Sequence, residues 1–251
     1  MPKTLSPDIL KTLPLFSGLT EQEKDILLKA GHIRHFMKGE HLFLHGDPIR
    51  YFYIICNGTV QLFRENPGGR EKTTDVRIKG QTISKTEIFD AVRVHQVNAI
   101  AADDVVVMEF PMVWLKESAK KHSAFALNLL SAISRNAREA EIEAEHQATM
   151  SSAQLVACFI QRVCILHDFN PCGFELPYSK TLIASRLGME LETFSRTLSK
   201  LKEHGITVNG THVAIHDLGG IDRYVCANCS VAEDCQTHQV IGEKATTRRN
   251  V

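Results

Sequence analysis

The sequence predicts an α+β fold in which an antiparallel β-roll of the jelly-roll type precedes one long helix and a small C-terminal domain of helices and a hairpin. Three observations predict it. Short apolar runs separated by glycines fill residues 31–110, a helical period begins after Pro111, and a second group of shorter helical stretches follows Ser151. Many short strands at regular spacing are typical of barrels and jelly rolls.

The strand region is marked by alternation and by turn residues. Residues 52–56 form one candidate strand, and residues 105–110 close the series. Asn57 and Gly58 follow the first of these and predict a tight hairpin turn. Residues 66–69, with the sequence NPGG, predict a second turn.

A long amphipathic helix is predicted over residues 123–149, because apolar residues recur there at alternating spacings of four and three. The stripe is narrow and the opposite face is strongly charged. We therefore expect a dimerisation helix, in which small alanines let two copies approach closely. Packing of the helix on its own domain is the alternative. The predicted seam consists of Leu130, Ile133, Ala137, Ala140 and Ala144.

Length and composition indicate a globular protein of one large or two modest domains. The chain has 251 residues and 29 basic against 29 acidic side chains, so its formal net charge is zero and nucleic-acid binding would need a local surface. It lacks both an apolar stretch of about 20 residues and a secretory signal, so we expect a cytoplasmic protein without a membrane partner. The predicted boundaries are 1–122 for the β-roll, 123–149 for the dimerisation helix, 150–218 for the helical domain and 219–251 for a C-terminal extension.

Residues 179–204 have the spacing of a helix-turn-helix motif. Ala184 is small enough for a second helix to cross close to the first, and Gly188 lies where the turn needs a positive φ. Polar side chains near the start of the second helix would point outward, as in recognition helices that enter the major groove. Glutamate can accept from cytosine and arginine can bond guanine bidentately. An αα-corner without a DNA role is the alternative. The outward side chains are Glu192, Ser195, Arg196 and Ser199.

A hairpin signal follows the second helix. Residues 206–208 and 212–215 are short apolar runs that flank Asn209 and Gly210, a pair that predicts a type I′ turn. A hairpin in this place is typical of the wing of a winged helix. The segment 178–204 has five basic and three acidic residues, a surplus that suits a few phosphate contacts.

In these features the chain resembles the Crp/Fnr superfamily of bacterial transcription regulators, over about residues 10–218. The most specific stretch is residues 191–196, LETFSR, which resembles the Fnr-type recognition helix. The resemblance implies that Glu192, Ser195 and Arg196 read the bases of a TTGAT-like half-site and that Lys180 contacts a phosphate. It also implies a homodimer on an inverted repeat, with RNA polymerase as a further partner.

The part of the β-roll that holds cyclic AMP in other members departs from their pattern. Those members have a Phe-Gly-Glu segment and, about ten residues later, Arg-Ser or Arg-Thr. Here Lys85 stands where the glutamate is expected, and His95 and Gln96 stand near the arginine pair. We therefore do not expect cyclic nucleotide binding. The segment is more similar to that of nitric-oxide-responsive members, some of which bind haem. The histidines available to a haem include His32, His35, His41, His45 and His95.

The seven cysteines fall into two groups. An odd count in a reducing compartment argues against disulfides. Four are scattered, and we expect each to be a small buried side chain. These four are Cys56, Cys158, Cys164 and Cys172.

The other three cysteines, Cys226, Cys229 and Cys235, have the spacing C-x2-C-x5-C, which can hold one metal centre. The loop resembles the cluster loop of Fnr, although that loop lies at the N-terminus. Some Gram-positive Fnr proteins are similar to the present arrangement, with a carboxylate as fourth ligand. The resemblance implies a [4Fe–4S] cluster. His238 would instead suit structural zinc. The other candidates for the fourth ligand are Glu139, Glu141, Glu143, Glu145, Cys56 and Cys172.

These features together predict a regulator whose DNA binding responds to oxygen or nitric oxide through an Fe–S cluster, the loss of which would shift the dimer helices. Two alternatives remain open. One is a haem-dependent nitric oxide sensor with the same DNA-binding module, and the other is a DNA-binding dimer with a tail held by zinc. The sequence has no nucleophile–base pair or phosphate-binding glycine loop at diagnostic spacing, so an enzyme is not expected.

Overall fold

The computed structural model describes residues 13–84, 86, 93–167, 170, 173–227, 229–233, 235 and 237–240. The chain divides into two compact units, Met1–Arg138 and Glu139–Val251. Among the helices of the described residues, none is both long enough and apolar enough to cross a membrane.

Two antiparallel four-stranded sheets form the first unit. Their strand orders are β1-β8-β3-β6 and β2-β7-β4-β5. Neighbours in the sequence are mostly not neighbours in a sheet, as in a jelly roll, and the predicted β-roll is confirmed. The strands are β1 His32–Phe36, β2 His41–Phe43, β3 Tyr51–Asn57, β4 Thr59–Glu65, β5 Glu71–Ile78, β6 Thr82–Ile83, β7 Asn98–Ala101 and β8 Val105–Pro111.

Strand β3 is buried on both faces and separates two cores. Tyr53 and Ile55 face the space between the two sheets. Phe52 and Ile54 face the helices of this unit and pack in a cluster with Phe110. The alternation in residues 52–56 therefore fills two cores at once, because successive side chains of a strand point to opposite faces.

The predicted hairpin at Asn57 and Gly58 is wrong. Strand β3 pairs with β8 and β6, whereas β4 pairs with β5 and β7, so the chain crosses from one sheet to the other at this point. Gly58 has a φ of +84°, and a Cβ there would lie 2.4 Å from the carbonyl oxygen of Asp104. The glycine is needed for a corner between sheets. The second predicted turn, at residues 66–69, does join the paired strands β4 and β5.

Among its described residues the first unit also contains the helices α1 (Glu21–Ala30), α2 (Met112–Lys121) and the beginning of α3 (Ser123–Thr149). A 3-10 turn, Pro14–Phe16, precedes them. Helix α3 has 27 residues, a length of about 40 Å. Phe125 and Leu129 in its first turns are 1% and 0% exposed and pack in the core that faces the helices.

The second unit contains the predicted helix-turn-helix and hairpin. Ser151 caps the helix α4 (Ser152–Leu166) through a capping box with Gln154, which satisfies backbone donors at the helix start. One apolar core joins the α-helices and strands that follow Ser151. The elements are α4 Ser152–Leu166, β9 Phe174–Glu175, α5 Lys180–Arg186, α6 Leu191–Leu201, a 3-10 turn Lys202–His204, β10 Ile206–Asn209, β11 His212–Ile215 and α7 Leu218–Cys226.

The hairpin β10–β11 is confirmed, but its turn differs from the predicted type. Asn209 pairs with His212, so the loop consists of Gly210 and Thr211. Gly210 has a φ of +61°, whereas the φ of Thr211 is not positive. A positive φ at the first loop position alone is the mark of a type II′ turn rather than type I′. Strand β9 extends the hairpin to three strands.

Three of the scattered cysteines are buried as predicted. Cys56 in β3 is 2% exposed, and Cys158 and Cys164 in α4 are 7% and 0% exposed. Cys172 and Lys85 lie outside the described residues.

Candidate DNA-binding and metal-binding sites

Helix α6 exposes one polar face because its opposite face, from Phe194 to Leu201, packs in the core. Phe194 and Leu201 are 0% exposed and Leu198 is 7% exposed. Side chains at i, i+3, i+4 and i+7 share a helix face. The structure therefore brings the four side chains predicted to point outward together on one exposed face: Glu192, Ser195, Arg196 and Ser199.

Arg196 and Ser199 differ in the hydrogen-bonding groups that they leave available to a ligand. Arg196 Nη1 lies 4.0 Å from Glu192 Oε1, and both side chains are largely exposed. A pair this open contributes little and does not hold the guanidinium in place. Ser199 Oγ donates to the carbonyl oxygen of Ser195 at 3.2 Å, so its lone pairs, not its proton, face outward.

The turn between α5 and α6 is closed by glycine and by backbone hydrogen bonds. Gly188 has a φ of +71°, as the sequence predicts. The amide of Met189 donates to the carbonyl oxygen of Ala184 at 2.9 Å, and Ala184 is 1% exposed. The side chain of Gln147 donates to the carbonyl oxygen of Leu187 at 3.2 Å. The end of α3 thus helps to hold this turn.

Not all of the basic side chains in residues 178–204 are available to DNA in the structure. Arg186 Nη2 donates to both carboxylate oxygens of Glu143, at 2.6 and 2.7 Å. That charge is therefore committed within the unit. Lys180 is half-buried at the start of α5, while Arg196 and Lys200 are exposed on α6. Phosphate contacts would depend mainly on the exposed cations of α6.

The predicted seam of α3 is uncovered along most of its length. Leu130 is 53% exposed; Ala137, Ala140 and Ala144 are also exposed, and Ile133 is half-buried. Leu127, three residues before Leu130 and therefore on the same side of the helix, is 62% exposed. An apolar stripe without a cover in the single chain suits a helix partner.

A carboxylate that the sequence analysis did not single out lies beside the cysteine loop. Asp222 is 7% exposed and stands one turn before Cys226 on α7. Its Oδ1 accepts from Cys226 Sγ at 3.7 Å, and its Oδ2 lies 2.9 Å from Nδ1 of His238. One ligand atom from each of these three residues lies within 4.8 Å of the others. His238, a predicted candidate for the fourth ligand, therefore lies near Cys226, with Asp222 in contact with both.

A second contact joins the loop to α3. Cys229 Sγ lies 3.5 Å from Nε2 of His146. His146 is 6% exposed, and burial, together with the nearby charge of Arg162, lowers its pKa. Its imidazole is therefore largely neutral near pH 7 and can act as donor or acceptor.

The pKa values of Cys226 and Cys229 are raised, which favours the neutral thiol at these two positions. Burial raises the pKa of Cys226, and the neighbouring carboxylate of Asp222 and the other thiols raise it further. Burial also raises the pKa of Cys229. The sulfurs of Cys226 and Cys229 lie beside a carboxylate oxygen and an imidazole nitrogen, a donor set that fits a metal centre. The positive charge of a bound metal would stabilise the thiolate forms.

Asp222 and His146 were not predicted from the sequence, for different reasons. Asp222 did have a local signal, since it lies at i−4 from Cys226 and shares its helix face. His146 had none, because it lies 83 positions before Cys229. Glu143, a candidate fourth ligand, is instead bound by Arg186 and lies 3.7 Å from Arg162.

The histidines of the β-roll lie in two kinds of environment. His32, His35, His41 and His45 are exposed, and the last two line an open groove of about 620 Å³. His95 is 2% exposed and its ring stacks on Phe43, with centroids 3.5 Å apart. Burial lowers the pKa of His95 to about 4. A neutral imidazole lacks the positive charge that would hold a cyclic phosphate.

Comparison with known proteins identifies both units. The family model of the cyclic nucleotide-binding domain matches residues 33–122, and the Crp-like helix-turn-helix domain matches residues 155–224. The anaerobic regulatory protein of Haemophilus influenzae is 27% identical over 210 residues, which cover 81% of this chain and 80% of that protein. The cyclic AMP receptor protein of Thermus thermophilus is 26% identical over 197 residues, which cover 78% of this chain and 89% of that protein.

A solved structure is similar along nearly the whole chain. A regulatory protein of Silicibacter pomeroyi DSS-3 matches with a TM-score of 0.60 and 28% identity, and the match covers 87% of this chain and 97% of that one. The β-roll, the long helix and the helix-turn-helix occur in one chain in the expected order. The protein belongs to the Crp/Fnr superfamily of DNA-binding transcription regulators.

Proposed function

We propose that this regulator binds a TTGAT-like inverted repeat as a homodimer, and that an Fe–S cluster held by Cys226, Cys229 and Cys235 makes this binding sensitive to oxygen or nitric oxide. The family establishes DNA binding and transcription regulation. The sequence of the DNA site, the dimer seam, the cluster and its signal are the proposal.

The exposed face of α6 supports the choice of base-reading residues. Glu192, Ser195 and Arg196 combine an acceptor, a short hydroxyl and a fork of donors at the start of the helix. That set matches the edges of cytosine, of adenine or thymine, and of guanine. Ser199 lies one turn further on, and Lys180 stands at the start of the preceding helix.

The uncovered stripe of α3 supports the homodimer. Leu130, Ala137 and Ala144 recur at a spacing of seven and are exposed in the single chain. A parallel helix pair would bury them, and alanine at the seam would let the two helices approach closely. Half-sites about 34 Å apart then require two recognition helices at a fixed distance.

The contact between Cys229 and His146 is the observation that carries the sensor proposal. It joins the cysteine loop to a buried residue in the last turns of α3, within one compact unit. Cys226, Cys229 and Cys235 would hold the cluster as thiolates, and His146 would hydrogen-bond one of them. A bound Fe–S cluster supplies a centre that oxygen and nitric oxide attack. A change in the packing of the cysteine loop would therefore alter the packing of α3, the helix that forms the dimer seam.

Metal analysis of the full chain, purified without oxygen, tests the sensor proposal. We expect iron and sulfide in equal amounts and a broad absorption band in the visible blue. The variant with C226A, C229A and C235A should lack both, whereas C56A, which removes a buried cysteine of the other unit, should keep them. Equal metal content in the two variants would exclude the loop as the site.

Structural zinc is the second candidate, and the triad of Asp222, Cys226 and His238 favours it. Their ligand atoms lie within 4.8 Å of one another, a separation that suits one tetrahedral ion. Zinc without iron in the anaerobic protein, and DNA binding that ignores oxygen and nitric oxide, would support this candidate against the cluster.

Two further elements of the proposal follow from the family rather than from a particular contact. A regulator of bacterial transcription acts where the DNA is, so we place this protein in the cytoplasm. RNA polymerase is the expected partner at the promoter.

A further inference from the structure

The cysteine loop of the second unit lies beside a fourth cysteine, on helix α4. The side chain of Gln154 donates to the carbonyl oxygen of Tyr224 at 3.3 Å, which ties the first turn of α4 to the last turn of α7. Gln154 is itself fixed by the capping box with Ser151. Cys158 lies four residues after Gln154 and therefore on the same face of α4. Through Gln154 that face meets the last turn of α7, which ends at Cys226.

Packing and electrostatics agree on this placement. Cys226 packs against the core cluster that contains Cys158, and Cys158 is 7% exposed. Cys158 also lies close enough to Cys226, Cys229 and Cys235 for their charges to influence one another.

We propose that Cys158 is the fourth ligand, which with Cys226, Cys229 and Cys235 completes a four-cysteine cluster site. This inference rests on the Fe–S cluster proposed above. Four thiolates are the ordinary ligand set of a [4Fe–4S] cluster. Three come from the tail and the end of α7, and the fourth comes from the interior of the DNA-binding unit.

The other donors near the loop have different partners. Asp222 lies 2.9 Å from His238 and accepts from Cys226. His146 contacts Cys229. His146 can donate a ring N–H to the thiolate of Cys229 as an outer partner, and Asp222 can orient His238 beside Cys226. Cys56 is buried in strand β3 of the first unit.

A ligand on α4 gives the cluster a structural effect. It would link α4, α7 and the loop covalently through iron, and α4 packs in the same core as the recognition helix α6. The bound cluster should therefore stabilise the DNA-binding unit itself, because a group that binds only the folded form raises its stability.

The test uses the full-length protein, reconstituted without oxygen from ferrous iron and sulfide. Cys158→Ser is compared with Cys164→Ser, which changes another buried cysteine of the same helix. The loss of an outer partner typically weakens metal binding 10- to 100-fold, and the loss of a ligand should weaken it at least as much. We therefore expect C158S to release iron to a chelator at least about tenfold faster than the wild type. The residual reduced cluster should have an altered electron paramagnetic resonance spectrum. C164S should match the wild type in both.

Circular dichroism and thermal unfolding of the metal-free variants separate a lost ligand from a lost fold. If C158S fails to fold, Asp222→Ala and His146→Ala decide the question, since the inference requires that both still assemble a cluster on reconstitution, even though each releases iron faster than the wild type. Wild-type iron retention in C158S, or loss of the cluster in D222A with retention in C158S, would overturn the inference and leave the Fe–S proposal standing. A wild type that binds no iron and sulfide would overturn both.

Discussion

Replacing Arg196 with alanine should abolish discrimination at the guanine of each half-site while leaving the fold intact. The side chains of Arg196 and Glu192 are 68% and 82% exposed and 4.0 Å apart, so we expect the free energy of unfolding to change by less than about 0.5 kcal/mol. A bidentate contact to guanine contributes about 1–3 kcal/mol per half-site. For the two half-sites of a dimer this is about 2–6 kcal/mol, or roughly 30-fold to 10⁴-fold in Kd.

Fluorescence anisotropy on two labelled duplexes measures this effect. One duplex carries an inverted repeat of TTGAT half-sites, and the other carries a substitution at the guanine of each half-site. Lys200→Ala is the matched control, because Lys200 is exposed on the same helix and should weaken binding to both duplexes alike, with a lower salt dependence. Equal weakening of both duplexes by R196A would refute the assignment of Arg196 as a base reader.

Three further predictions concern stability. Phe194→Ala, at a position that is 0% exposed, should lower the free energy of unfolding of the second unit by about 3–5 kcal/mol in a denaturant titration. Gly188→Ala should cost about 1–2 kcal/mol in the same assay, because φ is +71° and only Gln147, at 3.5 Å, is near the added Cβ; no loss would contradict the positive φ. Burial lowers the pKa of His95 to about 4 from 6.5, so the unfolded chain takes up a proton first, and stability should fall by up to about 3 kcal/mol as the pH drops from 6.5 to 4. His95→Gln should remove that part of the pH dependence, and an unchanged slope would contradict the burial of a neutral imidazole.

Local patterns predicted the elements of this fold well, because their causes are local. The turn at Gly188 requires a positive φ, which the glycine itself indicates. The apolar spacing of α6 fixes which side chains are buried, and hence that Arg196 is exposed. The heptad stripe of α3 likewise marks Leu130 as uncovered.

Pairing and register depend on distant parts of the chain, and there the predictions were less accurate. Asn57 and Gly58 are equally suited to a hairpin or to a corner, and the choice depends on strand β8, about 50 residues away. In the hairpin β10–β11 the loop consists of Gly210 and Thr211, one residue later than predicted, because Asn209 pairs with His212.

The metal site shows the same division. The spacing of Cys226, Cys229 and Cys235 is visible in the sequence, but the residues around them come from α3, α4 and α7. Nothing in a single sequence relates His146 to Cys229, or Cys158 to either, since helix packing alone brings them together.

The affinity of the anaerobic protein for the inverted repeat, before and after exposure to oxygen or nitric oxide, tests the central claim most directly. If the cysteine loop controls DNA binding, the wild type should change its Kd by about 5- to 150-fold, the usual range of coupling between two sites. The variant with C226A, C229A and C235A should show one Kd throughout. An unchanged Kd in the wild type, or the same change in the variant, would contradict the account.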